Sequence, residues 1–151
     1  MNYFSRIKLN SKAEISSRAL GFITPTKRKY TIPELLKLGN RLHREKNLEM
    51  AESAFRKILE YQPDHVMALH FLGVIAHQTG NLEAAASLIE KALSLEPDYA
   101  QAYNNLGNIY EAMGKPEIAI KHYRDALVLD KYYIDALFNL GIVLRQLNEM
   151  S

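Results

Sequence analysis

AQAYNNLGNIYEAMGKPEIAIKHYRDALVLDKYY, residues 100–133, carries a Leu-Gly pair at Leu106-Gly107 that recurs along the chain at Leu38-Gly39, Leu72-Gly73 and Leu140-Gly141, each 34 residues from the last. A period of that length marks a repeated helical hairpin. Three positions before each Leu stand Leu35, Leu69, Tyr103 and Leu137, and three after each Gly stand Leu42, Ala76, Tyr110 and Leu144. These spacings predict one apolar stripe on the first helix of each unit, with the Gly letting a neighbouring helix come close.

The second helices keep the same period. Ala51, Ala85 and Ala119 are followed four residues on by Phe55, Ile89 and Tyr123, then by Ile58, Ala92 and Ala126. That alternation of sizes suits ridge-into-groove packing. Between the helices lie Lys46-Asn47, Gly80-Asn81 and Gly114-Lys115-Pro116, where Gly supplies a left-handed stop, Asn caps the next helix and Pro116 fits a first turn. Thr31 with Glu34 reads as a capping box. Gln62-Pro63-Asp64 and Glu96-Pro97-Asp98 separate the units, and each Asp is expected to cap the helix that follows.

Taken together these positions resemble the tetratricopeptide-repeat family. The third unit fits it best, with Tyr103, Leu106, Gly107, Tyr110, Gly114, Ala119, Tyr123 and Ala126 in family slots and Lys131 in place of the usual proline. The first unit departs through Leu35, Lys46 and Ile58. The resemblance implies an all-α, right-handed superhelical solenoid of antiparallel helix hairpins. Its divisions are a basic N-terminal segment, poorly ordered or partly helical, at 1–31, units at 32–65, 66–99 and 100–133, and a first helix of a fourth unit or a capping helix at 134–151.

Composition sets bounds on function. The chain has 151 residues, 48% apolar and 24% charged, and no cysteine, which excludes disulfides, thiolate metal sites and a cysteine nucleophile. The net charge of +2 is unevenly spread: residues 1–31 carry +6, leaving −4 for the rest. A cytoplasmic location is the default expectation, with an organellar transit peptide as the alternative reading of the basic, acid-poor start. No run of about 20 apolar residues is present to span a membrane.

The family resemblance implies that the first helices line a concave groove for a protein or peptide partner. The slots so implied are Leu36, Asn40, His43 and Arg44 in the first unit and Met67, His70, Val74, His77 and Gln78 in the second. Gln101, Asn104, Asn108 and Glu111 follow from the third, and Asp135, Phe138, Ile142 and Arg145 from the last helix. Asn104 and Asn108 share a helical face, an arrangement that favours contact with a peptide backbone. Chaperone-binding members clamp a terminal carboxylate with Lys, Arg and Asn. The matching slots here are Leu36, Asn40, Phe71, Gln101 and Asn105, which lack every cation. Asn105-Leu106-Gly107-Asn108, with Asn139 in the slot of Asn105, is similar to the repeat arm of O-linked N-acetylglucosamine transferases and of bacterial repeat-bearing transferases; Lys37 and Phe71 are not.

No constellation for catalysis emerges, and no cofactor or metal is expected. His65, His70 and His77 are five and seven residues apart, not the three or four that pair ligands on a helix. The tyrosines fall mainly in packing slots, and the body is acidic, so there is no strong nucleic-acid signal. On the last helix, Ile134, Leu137, Leu140, Leu144 and Leu147 are expected to face the third unit, leaving Phe138, Ile142, Val143 and Met150 elsewhere. That surplus predicts that the chain continues or self-associates through 134–150. The expected function is a non-enzymatic interaction scaffold; the rivals are the substrate-selecting arm of a larger transferase and a self-assembling scaffold.

Overall fold

The computed structural model describes residues 30–149, which form seven α-helices and no strand. They are α1 (Ile32–Arg44), α2 (Leu48–Tyr61), α3 (Val66–Gln78), α4 (Leu82–Leu95), α5 (Ala100–Ala112), α6 (Pro116–Leu129) and α7 (Ile134–Glu149). The chain is an all-α helical-repeat solenoid. Residues 1–29 of the basic segment read at 1–31, and Met150 and Ser151, lie outside the described residues.

The polypeptide divides into two compact units, one reaching Lys57 and the other beginning at Ile58. In the first, the capping box starts α1: the Thr31 backbone N–H donates to Glu34 Oε2 over 2.9 Å, and Glu34 N–H donates to Thr31 Oγ1 over 3.4 Å. Leu35, Leu42, Ala51, Ala54 and Phe55 are buried. A side chain at Gly39 would stand 2.7 Å from Phe55 Cζ, which is why this position takes no larger residue. Lys46 ends α1's turn at φ 61°, a left-handed conformation that the second unit gives to Gly80 (83°) and Gly114 (70°).

In the second unit α3 packs on α4, α4 on α5, α5 on α6 and α6 on α7, while α3 touches α5 and α5 touches α7. One core joins Ala85, Ala86, Ile89 and Leu93 of α4 to Ala102, Leu106 and Ile109 of α5. Ala119, Tyr123 and Val143 form another, flanked by Leu140 and Leu147. Gly73 and Gly107 sit beneath the side chains of Ile89 and Tyr123 as Gly39 sits beneath Phe55, whereas nothing lies within 4 Å of a side chain added at Gly141.

Two expectations need correction. Asp64 and Asp98 do not cap: His65 is the N-cap of α3, accepting from Ala68 N–H at 3.3 Å, and Tyr99 is the N-cap of α5, its side chain making no capping bond. Asp64 instead pairs with Lys91 Nζ at 3.1 Å. The face that α7 buries is also different. Ala136 and Val143 are buried and Leu140 and Leu147 pack beside them, but Ile134 (76%), Leu137 (48%) and Leu144 (38%) are exposed. The reason is that α5 packs on two sides. Its Ala102, Leu106 and Ile109 face α4, and its Tyr103 and Tyr110 stack on His122 of α6 at 6.3 and 5.3 Å between ring centroids. On α7 the equivalents of the first set meet α6. The equivalents of the second set, Leu137 and Leu144, have no such helix over them among the described residues.

Candidate peptide-docking face

Helix α5 places Asn104 and Asn108 one turn apart, and α7 brings Asn139 to them. One Nδ2 hydrogen of Asn139 serves each neighbour: Nδ2 lies 3.1 Å from Asn104 Oδ1 and 3.0 Å from Asn108 Oδ1. Asn108 Oδ1 also accepts from the Tyr123 hydroxyl at 2.8 Å, and that hydroxyl lies 2.9 Å from Glu111 Oε2. Burial, and then the Glu111 carboxylate, push the Tyr123 phenol above its ordinary pKa.

The same fastening occurs one repeat earlier. Asn105 Nδ2 lies 2.8 Å from His70 Nε2, and Tyr99 Oη lies 2.9 Å from His70 Nδ1. With Nε2 accepting from the amide, the neutral ring carries its proton on Nδ1 and donates to Tyr99. Burial lowers the His70 pKa to about 4 and, with Glu96 and Tyr133 nearby, raises that of Tyr99 to about 12.

These bonds change how several groove positions read. His70 (1% exposed) and Asn104 (4%) are buried between neighbouring repeats, so neither is a groove-surface residue as the family slots imply. Met67, Gln78, Gln101, Asp135, Phe138 and Arg145 are exposed, and Val74, His77, Asn108, Glu111 and Ile142 are half-buried. Burial lowers the pKa of His77. In the first unit, Asn40 and His43 are half-buried and Arg44 is exposed, and Asn40 Oδ1 is buried without a hydrogen-bond partner. The His70–Asn105 fastening was legible in principle, because Asn104 and Asn139 stand in the same two slots one period later.

The face offers amides, a thioether, an aromatic ring and a few charges. Among the described residues no three His, Cys, Asp or Glu side chains gather as a metal site, and no helix is long and apolar enough to cross a membrane. His65 is occupied as a cap and His70 by its two partners.

Tetratricopeptide-repeat descriptions match residues 35–65 and 100–133, and a TPR-repeat description matches 73–114, together more than half of the chain. The chain belongs to the tetratricopeptide-repeat family. Among solved structures, the TPR chain is similar to MamA, with TM-score 0.74 and 22% identity over 88% of this chain and 75% of that one. It is also similar to an O-GlcNAc transferase mutant from Thermobaculum terrenum, with TM-score 0.74 and 33% identity over 80% of this chain but 23% of that one. A third similarity is to the first TPR of Spaghetti bound to an HSP90 peptide, with TM-score 0.73, 21% identity, and 78% and 93% of the two chains covered. No curated protein matches the sequence.

Proposed function

We propose that this protein-interaction scaffold holds an extended peptide segment on the face built by α3, α5 and α7. The observation that carries the reading is the composition and continuity of that face. Met67 of α3 (42% exposed), Gln101 and Asn108 of α5, and Phe138 of α7 (67% exposed) lie on adjoining helices, mixing apolar anchors with amide donors. Asn108 Oδ1 is engaged by Tyr123 and Asn139, which leaves its Nδ2 to donate to a peptide carbonyl. Gln101 and Phe71 occupy slots where a carboxylate clamp needs cations, and Asn105 is committed to His70. The ligand is therefore held along its backbone, not by a terminal carboxylate. Asn40, His43 and Arg44 are proposed as contact positions of the first unit in their own right.

The test is to select binders from a phage-displayed random peptide library and measure the best one by calorimetry. Met67→Ala and Gln101→Ala should each weaken it several-fold, and Lys121→Ala on α6 should not. Equal losses from all three would refute the assignment.

A second reading makes the chain the substrate-selecting arm of a larger transferase. Its support is the 33% identity to the Thermobaculum protein, of which this chain spans 23%. Glycosyl transfer by the native gene product would establish it.

A further inference from the structure

The single hydroxyl hydrogen of Tyr123 has two claimants. Its oxygen lies 2.8 Å from Asn108 Oδ1 and 2.9 Å from Glu111 Oε2. An amide oxygen and a carboxylate both only accept. When the hydroxyl donates to Asn108, Glu111 bonds to the phenol oxygen only by supplying a hydrogen of its own, as a protonated carboxyl. When Glu111 is ionised it draws the phenol hydrogen to itself, because a hydrogen bond to a charged acceptor is roughly twice as strong as one to a neutral amide. Burial and that carboxylate hold the phenol above its ordinary pKa, so the hydrogen stays on Tyr123 in either case.

The asparagines can follow the hydrogen. Turning an amide over exchanges Oδ1 and Nδ2 and leaves the heavy-atom positions unchanged. Turned over, Asn108 gives one Nδ2 hydrogen to the Tyr123 oxygen and the other to Asn139 Oδ1, which accepts a second from Asn104 Nδ2. The separations of 2.8, 3.0 and 3.1 Å serve both arrangements. What differs is the group that Asn108 has left over, Nδ2 in the first and Oδ1 in the second. Around Glu111, α6 contributes Tyr123, and α4 sends Glu90 to Tyr110 instead. The slot of Glu111 holds His77 on α3 and Arg145 on α7, whose Nε lies 3.8 Å from Glu149 Oε1.

We propose that Glu111, acting through Tyr123, sets which group Asn108 turns to a ligand: Nδ2 when Glu111 carries a proton and Oδ1 when it does not. Both are positioning residues. Taking hold of a peptide carbonyl at Asn108 therefore draws a proton from solvent onto Glu111, and by linkage that contact tightens as pH falls. The ligand in this step rests on the peptide reading above; the coupling of Glu111 to Asn108 does not.

The coupling is tested on the ligand-free 151-residue chain at pH 7, by hydrogen exchange of the asparagine side-chain amides in nitrogen-resolved NMR. Glu111→Met has no strong acceptor to offer, so the phenol hydrogen goes to Asn108 and the Asn108 Nδ2 is left to solvent. That amide should exchange at least about tenfold faster than in the parent, while Asn105, tied to His70, exchanges as before and shows the repeats still packed. Equal Asn108 rates in the two chains would overturn the proposal. The proton is then read by calorimetry of the phage-selected peptide in two buffers of different ionisation heat. The parent should take up a proton on binding and Glu111→Met should not; no uptake by the parent, or equal uptake by both, would overturn the proposal. If the library yields no binder, the peptide reading fails, and the Asn108 exchange rates still decide whether Glu111 turns the amide.

Discussion

Asn105 donates through Nδ2 to His70 Nε2 over 2.8 Å, joining α5 to α3 across 35 positions of sequence. Burial of the imidazole at this junction favours its neutral form, and its pKa falls from 6.5 to about 4. A folded state that refuses a proton the unfolded chain would bind loses stability wherever that proton is taken up. The His70 contribution is whole above pH 6.5 and is lost as pH falls through 4.

Urea unfolding should therefore give a stability that declines between pH 6.5 and 4, with His70 accounting for about 3 kcal/mol. His77 and His122 are shifted in the same direction and share the slope. His70→Leu should be less stable at pH 7, because Tyr99 and Asn105 lose a partner, but should show a shallower decline. An unchanged slope in that variant would remove His70 as the titrating group.

Gly107 and Gly141 occupy the same slot in successive repeats with opposite surroundings. A methyl at Gly107 would overlap the buried ring of Tyr123, which has no space to retreat into. Gly107→Ala should cost about 1–3 kcal/mol. At Gly141 the space is open, so Gly141→Ala should gain up to about 1 kcal/mol from helix propensity. Thermal unfolding at low concentration separates the two, and equal effects would contradict the packing described.

Lys46 adopts φ 61°, where a side chain is crowded against its own backbone. Lys46→Gly should raise stability by about 0.5–1 kcal/mol, seen as slower hydrogen exchange in α1. Faster exchange would show that the turn does not hold that conformation in solution.

Tyr123→Phe removes the hydroxyl that reaches Asn108 and Glu111 and leaves the ring over Gly107. The expected loss is about 1 kcal/mol, read from the denaturation midpoint. A variant as stable as the parent would mean that water replaces the bond at no cost.

Much of the helical pattern was readable because the 34-residue period places the same chemistry at the same point several times. Thr31 and Glu34 announce a cap, Gly80 and Gly114 the left-handed turns, and Gly107 with Tyr123 a close crossing. The site was less readable. Family slots give a direction for each side chain, but exposure depends on the next repeat, and Asn105 and Asn139 close over His70 and Asn104 in a way that one helix considered alone does not reveal. The buried face of α7 was misread for a related reason: Leu137 and Leu144 are apolar, yet only Ala136, Leu140, Val143 and Leu147 point toward a helix that is there. His65 took the capping role expected of Asp64 because its ring nitrogen reaches Ala68, while Asp64 is drawn to Lys91.

His70 with Asn105 and Asn104 with Asn139 are each fastened over 35 residues, to the adjoining repeat and no farther. A chain stitched only to its neighbours behaves under load like a zip. Tension on the last helix would open the stitch at Asn139 first and leave the one at His70 still closed, so rupture should proceed in small successive steps.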